Sequence, residues 1–397
     1  MEHLSDRIKN MAESATLAMA AKAREFKAKG IDVISLSLGE PDFKTPKHIQ
    51  EGAKEAIDSE KYFSYPPVNG YLDLREAISE KFKNENGLSY SPNQIVVSNG
   101  AKQSIANVFL SILNPGDEVI VLSPYWVSYT ALVELAEGTP VLVKGGIEND
   151  FKATAQQIKE SITDKTKAMI FSSPCNPTGS VFTQEELEEI AEVLKPHDIV
   201  VISDEIYEHI NFSGGHASIG TIDGMQEKTV TVNGVAKGFA MTGWRVGYIG
   251  APQWLAKACN KIQGQLTSAN CSIGQRATLT ALTTDLAPTR AMAEEYRRRR
   301  QLVYELLSDI PGFKVNMPQG AFYFFPDVSS YFGKTDGETT INNANDFCLY
   351  MLINAQVSLV EGGAFGDPNC LRLSYAASED NLRKAIAQIK EAASKLK

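Results

Sequence analysis

Nowhere does the sequence hold a run of about 18 consecutive apolar residues, the length that spans a bilayer. Its opening stretch, MEHLSDRIKNMAES, lacks the apolar core of a secretory leader. Neither a membrane partner nor an exported protein is expected. Cysteine is sparse: Cys175, Cys259, Cys271, Cys348 and Cys370 are odd in number, widely spaced, and form no CxxC pair. That pattern suits reduced thiols in a cytoplasmic protein. It also argues against a structural zinc site, so no metal ligands are assigned. Positive charge is in deficit. Lys and Arg number 39 against 48 Asp and Glu, a formal net charge of -9, which argues against nucleic acid or an anionic membrane as the main partner. The one basic run, Arg297 to Arg300, lies in AMAEEYRRRRQLVYELL. There it reads as the exposed face of a long amphipathic helix, balanced by Glu294 and Glu295. Internal repeats and low-complexity linkers are absent too.

The chain has 397 residues, beyond the usual ceiling for one hydrophobic core, so two domains are expected. Apolar residues at 43% and charged residues at 22% are ordinary for a soluble globular protein. QIVVS (94–98), EVIVLS (118–123), PVLVK (140–144), KAMIFSS (167–173), DIVVISD (198–204), KTVTVNG (228–234) and RVGYIGA (245–251) read as strands, with helical patterns between several of them. Each run is continuous rather than alternating, as in strands buried on both faces. The fold class is therefore α/β, with a mostly parallel seven-stranded sheet between helices. After about residue 285 the texture becomes that of a smaller α+β unit. It has a long helix over 287–308, strands at 321–325, 356–360 and 370–374, and helices near 342–353 and 379–395. A helix near 15–29 packs with it, and IDVISLSLG (31–39) crosses as a strand toward the larger unit. The expected division is an arm at 1–14, a small domain of 15–45 plus 286–397, and a large domain of 46–285.

In open α/β sheets the ligand lies off the carboxyl ends of the strands. There the chain places Gly100-Ala101-Lys102, Tyr125-Trp126, Ser173 to Asn176, Asp204 to Tyr207, and Lys237. Lys237 stands alone among small and apolar residues in TVNGVAKGFAMTGWRVG. Desolvation there would depress its pKa and make the amine nucleophilic, able to form an imine with a carbonyl, unless it snorkels outward. Asp204, ending an apolar run, could hold a protonated ring nitrogen or merely cap a strand end. Gly100-Ala101-Lys102 joins a strand to a helix N-terminus, an anion site to which Arg245 could add a bidentate grip. Trp126 could stack on a flat ring or pack in the core. Together an imine-forming lysine, a carboxylate, a phosphate cradle and a stacking aromatic describe pyridoxal 5'-phosphate (PLP).

SLGEPDF (37–43), SYPPVNGYLDLREA (64–77), SPYWVSY (123–129), SPCNPTG (173–179), SDEIYE (203–208), NGVAKGFAMTGWRVG (233–247) and LRLSYA (371–376) occur in that order. By these motifs, over nearly its whole length, the chain resembles the fold-type I PLP enzymes, specifically the class I aminotransferases. It looks most like the bacterial aspartate aminotransferases of the subgroup that includes prephenate aminotransferases. The resemblance implies that Lys237 forms the internal imine and shuttles a proton between the substrate α-carbon and the cofactor. Asp204 would keep the pyridine nitrogen protonated, while Tyr207 and Asn176 bond the phenolic oxygen. Trp126 would stack on the ring, and Gly100, Ala101, Lys102 and Arg245 would surround the phosphate. Tyr65 would reach the phosphate from a neighbouring subunit, which implies a homodimer. Arg372 would clamp the substrate α-carboxylate, helped by Asn176 and the Gly39 backbone. Two departures stand out: Ala236 replaces a common Ser or Thr before the lysine, and Cys175 replaces the first Asn of NNPTG.

The resemblance also bears on the amino-acid and 2-oxoacid substrates. Lys102, with Ser14 and Thr16 from the other subunit, would handle a distal carboxylate, which points to aspartate and glutamate with oxaloacetate and 2-oxoglutarate. Prephenate-active relatives carry Lys and Pro where this chain has Ala12 and Glu13, so prephenate is the lesser expectation. A PLP-dependent C–S β-lyase on the same fold is an alternative, and Lys102 speaks against it. A ligand sensor fused to a DNA-binding domain is another, and the chain starts too near the fold's own arm to leave room for such a module.

Overall fold

A computed structural model of the chain describes residues 3–5, 8, 9, 11 and 13–397. The strands are β1 (Ile34–Ser35), β2 (Ile95–Ser98), β3 (Glu118–Ser123), β4 (Thr139–Lys144), β5 (Thr166–Ser172), β6 (Val200–Asp204), β7 (Thr229–Gly234), β8 (Gly247–Gly250), β9 (Tyr323–Phe324), β10 (Val357–Ser358), β11 (Val360–Glu361) and β12 (Leu371–Ser374). Seven of them form one sheet in the order β2-β8-β7-β6-β5-β3-β4. Every neighbouring pair is parallel except the two made by β8, which runs against both β2 and β7. All residues of β2, β6, β7 and β8 are buried, so the valines and isoleucines of these strands face apolar layers on both sides, while β7 also buries Thr229, Thr231 and Asn233. In β3, Val119 and Val121 join one hydrophobic cluster while Ile120 and Leu122 join another across the sheet. Alternate residues thus fill the two layers between sheet and helices.

The helix Gln184–Leu194 illustrates how those layers form. Thr183 and Glu186 make a reciprocal capping box, and Leu187, Ile190, Ala191 and Leu194 fall on one buried face. Helices Lys47–Asp58, Leu72–Asn86, Ala155–Ser161, Gln253–Leu266 and Ser272–Thr283, none of them marked from the sequence, complete the covering.

A separate core joins both ends of the chain. Met19, Ala23, Val33, Ile34 and Leu36 pack with residues from Tyr296 to Leu396, and Tyr207, Ile210 and Phe212 reach into it from the larger part. Its sheets are small: β1 pairs with β10, and β11-β12-β9 form an antiparallel set. The expected strand over 31–39 shrinks to Ile34–Ser35, because the following residues leave the edge of β10 and run on as a loop to the cleft. The long helix is Ala287–Ser308. Its arginine run is not a uniformly exposed face. Arg298 is exposed and pairs with Glu295 and Glu379. Arg299 is buried and grips Asp42 with Nη1 at 2.8 and 2.9 Å. Four successive residues sweep right round a helix, so one of them must face inward. Among the described residues no helix is long and apolar enough to cross a membrane.

Candidate active site

The carboxyl ends of β2, β3, β5, β6 and β7 open on one cleft of about 460 Å³. Ser14, Thr16, Gly39, Gly100, Ala101, Lys102, Trp126, Asn176, Asp204, Tyr207, Lys237, Arg245 and Arg372 all line it. Of the residues singled out for the site, Tyr65 alone does not. It is 95% exposed on the outside of its own chain.

Lys237 follows β7 by three residues, on the turn that reverses the chain toward β8. Its Nζ donates to the Gly39 carbonyl at 2.6 Å. Burial pushes the ammonium down to about 8, with Glu40 opposing the shift. Asp204 ends β6 and is buried at 3% exposure. The Tyr129 hydroxyl donates to it at 2.7 Å and the Ile206 N–H at 3.2 Å. No cation pairs with it among the described residues, and burial raises its carboxyl to about 6.

Arg372 on β12 is buried at 2% exposure. Its Nη1 donates to Asn176 Oδ1 at 3.0 Å and its Nη2 to the Ser37 carbonyl at 2.6 Å. Its Nε finds no partner among the described residues, and burial lowers its pKa. The guanidinium lies 4.8 Å from the Tyr323 ring centre and 4.7 Å from that of Phe365. Because Asn176 accepts through its oxygen, its NH2 is left to donate elsewhere. Tyr207 shares a 2.7 Å hydroxyl contact with Tyr323.

Gly100 precedes the helix Ala101–Ile112 at φ 82°, a conformation that favours glycine. A Cβ there would stand 2.6 Å from Arg245 Nη2, so the glycine also admits the guanidinium to the helix N-terminus. Arg245 donates to the Thr242 carbonyl at 2.9 Å and has no carboxylate partner among the described residues. Lys102 lies on the first turn of the same helix, its Nζ 5.0 Å from the Trp126 ring centre. Its side chain is open to the cleft, yet the surrounding protein and then Arg245 lower its pKa. Cys175 points away from these groups, its thiol against the Pro124 carbonyl at 3.5 Å.

Ser14 and Thr16 line the cleft of their own chain, whereas the sequence reading draws them from a second subunit. The reason lies in the helix Ala15–Ala28, whose Met19 and Ala23 anchor it in the core beside β1. That packing holds its N-terminus at the cleft mouth. Thr16 Oγ1 is buried there with no partner among the described residues. Ala12 lies outside the described residues. Sequence reasoning missed Tyr129 and Tyr323. Tyr129 carried a usable signal, one helical turn beyond Trp126. Tyr323 sits in AFYFF, where an aromatic run reads only as core.

Comparisons with known proteins give the chain's family and fold. The family model for aminotransferase class I and II matches residues 31–389. A bifunctional aspartate aminotransferase and glutamate/aspartate-prephenate aminotransferase from Petunia hybrida is 46% identical, over 98% of this chain and 82% of that one. The crystal structure of the aspartate aminotransferase from Rhizobium meliloti superposes with a TM-score of 0.96 at 38% identity, covering 100% of both chains. That of the Thermus thermophilus aspartate aminotransferase with maleate gives 0.92 at 43% identity, over 99% of this chain and 100% of that one. The chain belongs to the class I and II aminotransferases.

Proposed function

We propose that the protein is a PLP-dependent aspartate aminotransferase, moving the amino group of L-aspartate to 2-oxoglutarate and forming oxaloacetate and L-glutamate. One observation carries this reading. Arg372, Arg245 and Lys102 share a cleft with the Lys237 amine, and none of the three has a carboxylate partner among the described residues. A cofactor phosphate, a substrate α-carboxylate and a distal carboxylate are three anions that match them. The Thermus thermophilus relative with maleate, a four-carbon dicarboxylate, supports the same substrate class.

The residues fit PLP. Asp204 offers a buried carboxylate with no cation paired among the described residues, and the Gly100 turn lets the Arg245 guanidinium reach a helix N-terminus, together a cradle for a phosphate. Bound there, the cofactor would supply an electron-withdrawing ring that stabilises negative charge at the substrate α-carbon. Asp204 would hold the ring-nitrogen proton, and that positive neighbour would bring its own pKa down. Lys237, near 8, is close enough to neutral to accept the α-carbon proton and return it. Arg372 would grip the α-carboxylate as a fork, with Asn176 fixing the plane of the guanidinium. Tyr207 and the Asn176 NH2 would donate to the phenolic oxygen, and Trp126 would flank the ring. Ala236 offers no hydroxyl to the phosphate, and Thr242, beside Arg245 in the cleft, is the available substitute. Lys102, Ser14 and Thr16 would receive the distal carboxylate within one chain. The exposed Tyr65, with Phe63 at 67% exposure beside it, supports a homodimer in which Tyr65 serves the neighbouring site. The two cores support a small domain of 15–45 and 286–397 against a large one of 46–285, with the cleft between them.

The test is the visible spectrum of the cofactor-loaded protein. A lysine-bound band that collapses on adding L-aspartate and returns with 2-oxoglutarate is the expected result. A band bleached by alanine or an aromatic amino acid but not by aspartate would overturn the role of Lys102. Prephenate, which the Petunia relative's name includes, is the second acceptor to add.

A further inference from the structure

Tyr323 belongs to no part of the scheme above, yet it touches three of its members. It is fully buried on β9, next to Arg372 on β12 across the Leu373↔Phe324 and Ser374↔Tyr323 register. Its hydroxyl lies 2.7 Å from that of Tyr207. Its ring stands 4.8 Å from the Arg372 guanidinium carbon. A Cβ on Gly39 would come within 2.2 Å of its hydroxyl oxygen, so the residue whose carbonyl holds Lys237 is a glycine where Tyr323 presses on it.

A count of protons gives the pair a direction. A tyrosine hydroxyl has one proton to donate. If Tyr207 gives its proton to the phenolic oxygen of the cofactor, the 2.7 Å contact between the two tyrosines must be donated by Tyr323. A hydroxyl that accepts such a bond becomes a stronger donor itself. The Arg372 cation over the Tyr323 ring favours donation further, and it counters the rise in pKa that burial imposes on Tyr323.

We propose that Tyr323 is a positioning residue with two separable parts: its hydroxyl drives Tyr207 as a donor to the cofactor's phenolic oxygen, and its ring seats Arg372 for the substrate carboxylate. This rests on the PLP reading of the cleft. Stronger donation to the ionised oxygen lowers the pKa of the lysine-bound chromophore, so removing the Tyr323 hydroxyl raises it.

The experiment is a pH titration of the visible band of the cofactor-loaded protein, with steady-state kinetics beside it. Tyr323→Phe keeps the ring and should raise the midpoint by about 0.5–1 unit, with the KM for aspartate within about twofold. Tyr323→Leu should raise the midpoint similarly and also raise that KM about fivefold or more, since the face that seats Arg372 is gone. Tyr375→Phe is the control. It removes another buried hydroxyl of the same core, bonded to the Ala321 carbonyl at 2.9 Å, and should leave the midpoint unchanged. An unmoved midpoint in Tyr323→Phe, or an equal shift in Tyr375→Phe, would overturn the proposal while the PLP reading stands. Absence of any such band in the wild-type chain would instead overturn the PLP reading itself.

Discussion

The segment SDEIYEH, at the end of β6, presents two faces that handle buried charge in opposite ways. Asp204 and Tyr207 turn to the cleft, and Glu205 and Glu208 turn away from it. Behind the cleft every charge is answered. Lys81 pairs with Glu208 and donates to Asn86 at 2.7 Å, and Asn86 donates to Glu208 at 2.6 Å. Glu205 accepts from Ser203 at 2.9 Å and Ser218 at 2.6 Å, and sits 2.7 Å from His216 Nε2. Burial alone would push the Glu208 carboxyl up, but Lys81, with His209 and His216, holds it down at about 2. On the cleft face Asp204 has hydroxyl and amide donors but, among the described residues, no paired cation, and its carboxyl rises to about 6. Two buried carboxylates four residues apart thus move in opposite directions. The difference is whether the protein supplies the counter-charge or leaves it to a ligand. The rear cluster of Glu205, Glu208 and His216 is tight enough to hold a cation, but the Lys81 ammonium already supplies that charge.

Breaking the rear face should cost the most stability. Lys81→Met leaves Glu208 buried without its ammonium partner, and should lower unfolding stability by about 3–5 kcal/mol in denaturant titration. A loss under about 1 kcal/mol would mean that the network is dispensable. On the cleft face the same kind of change should cost function instead. Asp204→Asn should lower turnover at least about 100-fold, yet leave the cofactor-free protein as stable as wild type or more so. Lys102→Ala should raise the KM for aspartate about 10-fold or more and change alanine turnover far less; equal effects on both would remove it from the distal-carboxylate site.

The pH dependence of the cofactor-free protein sharpens the contrast. Glu208 has a depressed carboxyl, so its contribution to stability is present above its ordinary 4.5 and is lost as pH falls toward about 2. Asp204 is raised, so its ionisation is harder in the fold than in the unfolded chain. Its drag on stability is absent below 3.8 and complete above about 6. The Tm of Asp204→Asn should therefore pull ahead of wild type between those two pH values. For His216, burial would lower the pKa, but Glu205 and then Glu208 outweigh burial and the opposing Lys81, and raise it. Its stabilising charge is present below its ordinary 6.5 and is lost as pH rises through the raised folded value. His216→Gln should flatten the alkaline side of the Tm curve. Smallest of all, Arg298→Ala removes exposed pairs and should leave Tm unresolved from wild type.

Most of the large sheet was legible because β2, β3, β5 and β6 are buried on both faces, and such strands read as continuous apolar runs; β4, at the edge, is half exposed. The polar residue ending each run was legible for the same reason: a lysine at 237 or an aspartate at 204 interrupts an apolar or small-residue texture. The short strands β1, β9, β10 and β11 were legible only as regions, at 31–39, 321–325 and 356–360, and not in their bounds, since two residues hold no period to read. The inward turn of Arg299 was hidden because its partner, Asp42, lies 257 residues away in the chain.

By itself the sequence determined which residue types stand at the strand ends, because alternating apolar runs and helical periods dictate where each strand must stop. Only the tertiary structure decided that Ser14 and Thr16 enter the cleft of their own chain. It alone set the Tyr323 hydroxyl against Tyr207 and left Arg372, Arg245 and Lys102 without carboxylates among the described residues, while Lys81 pairs with Glu208 and Glu85. Those facts depend on which surfaces meet across hundreds of residues, and no local period encodes a meeting.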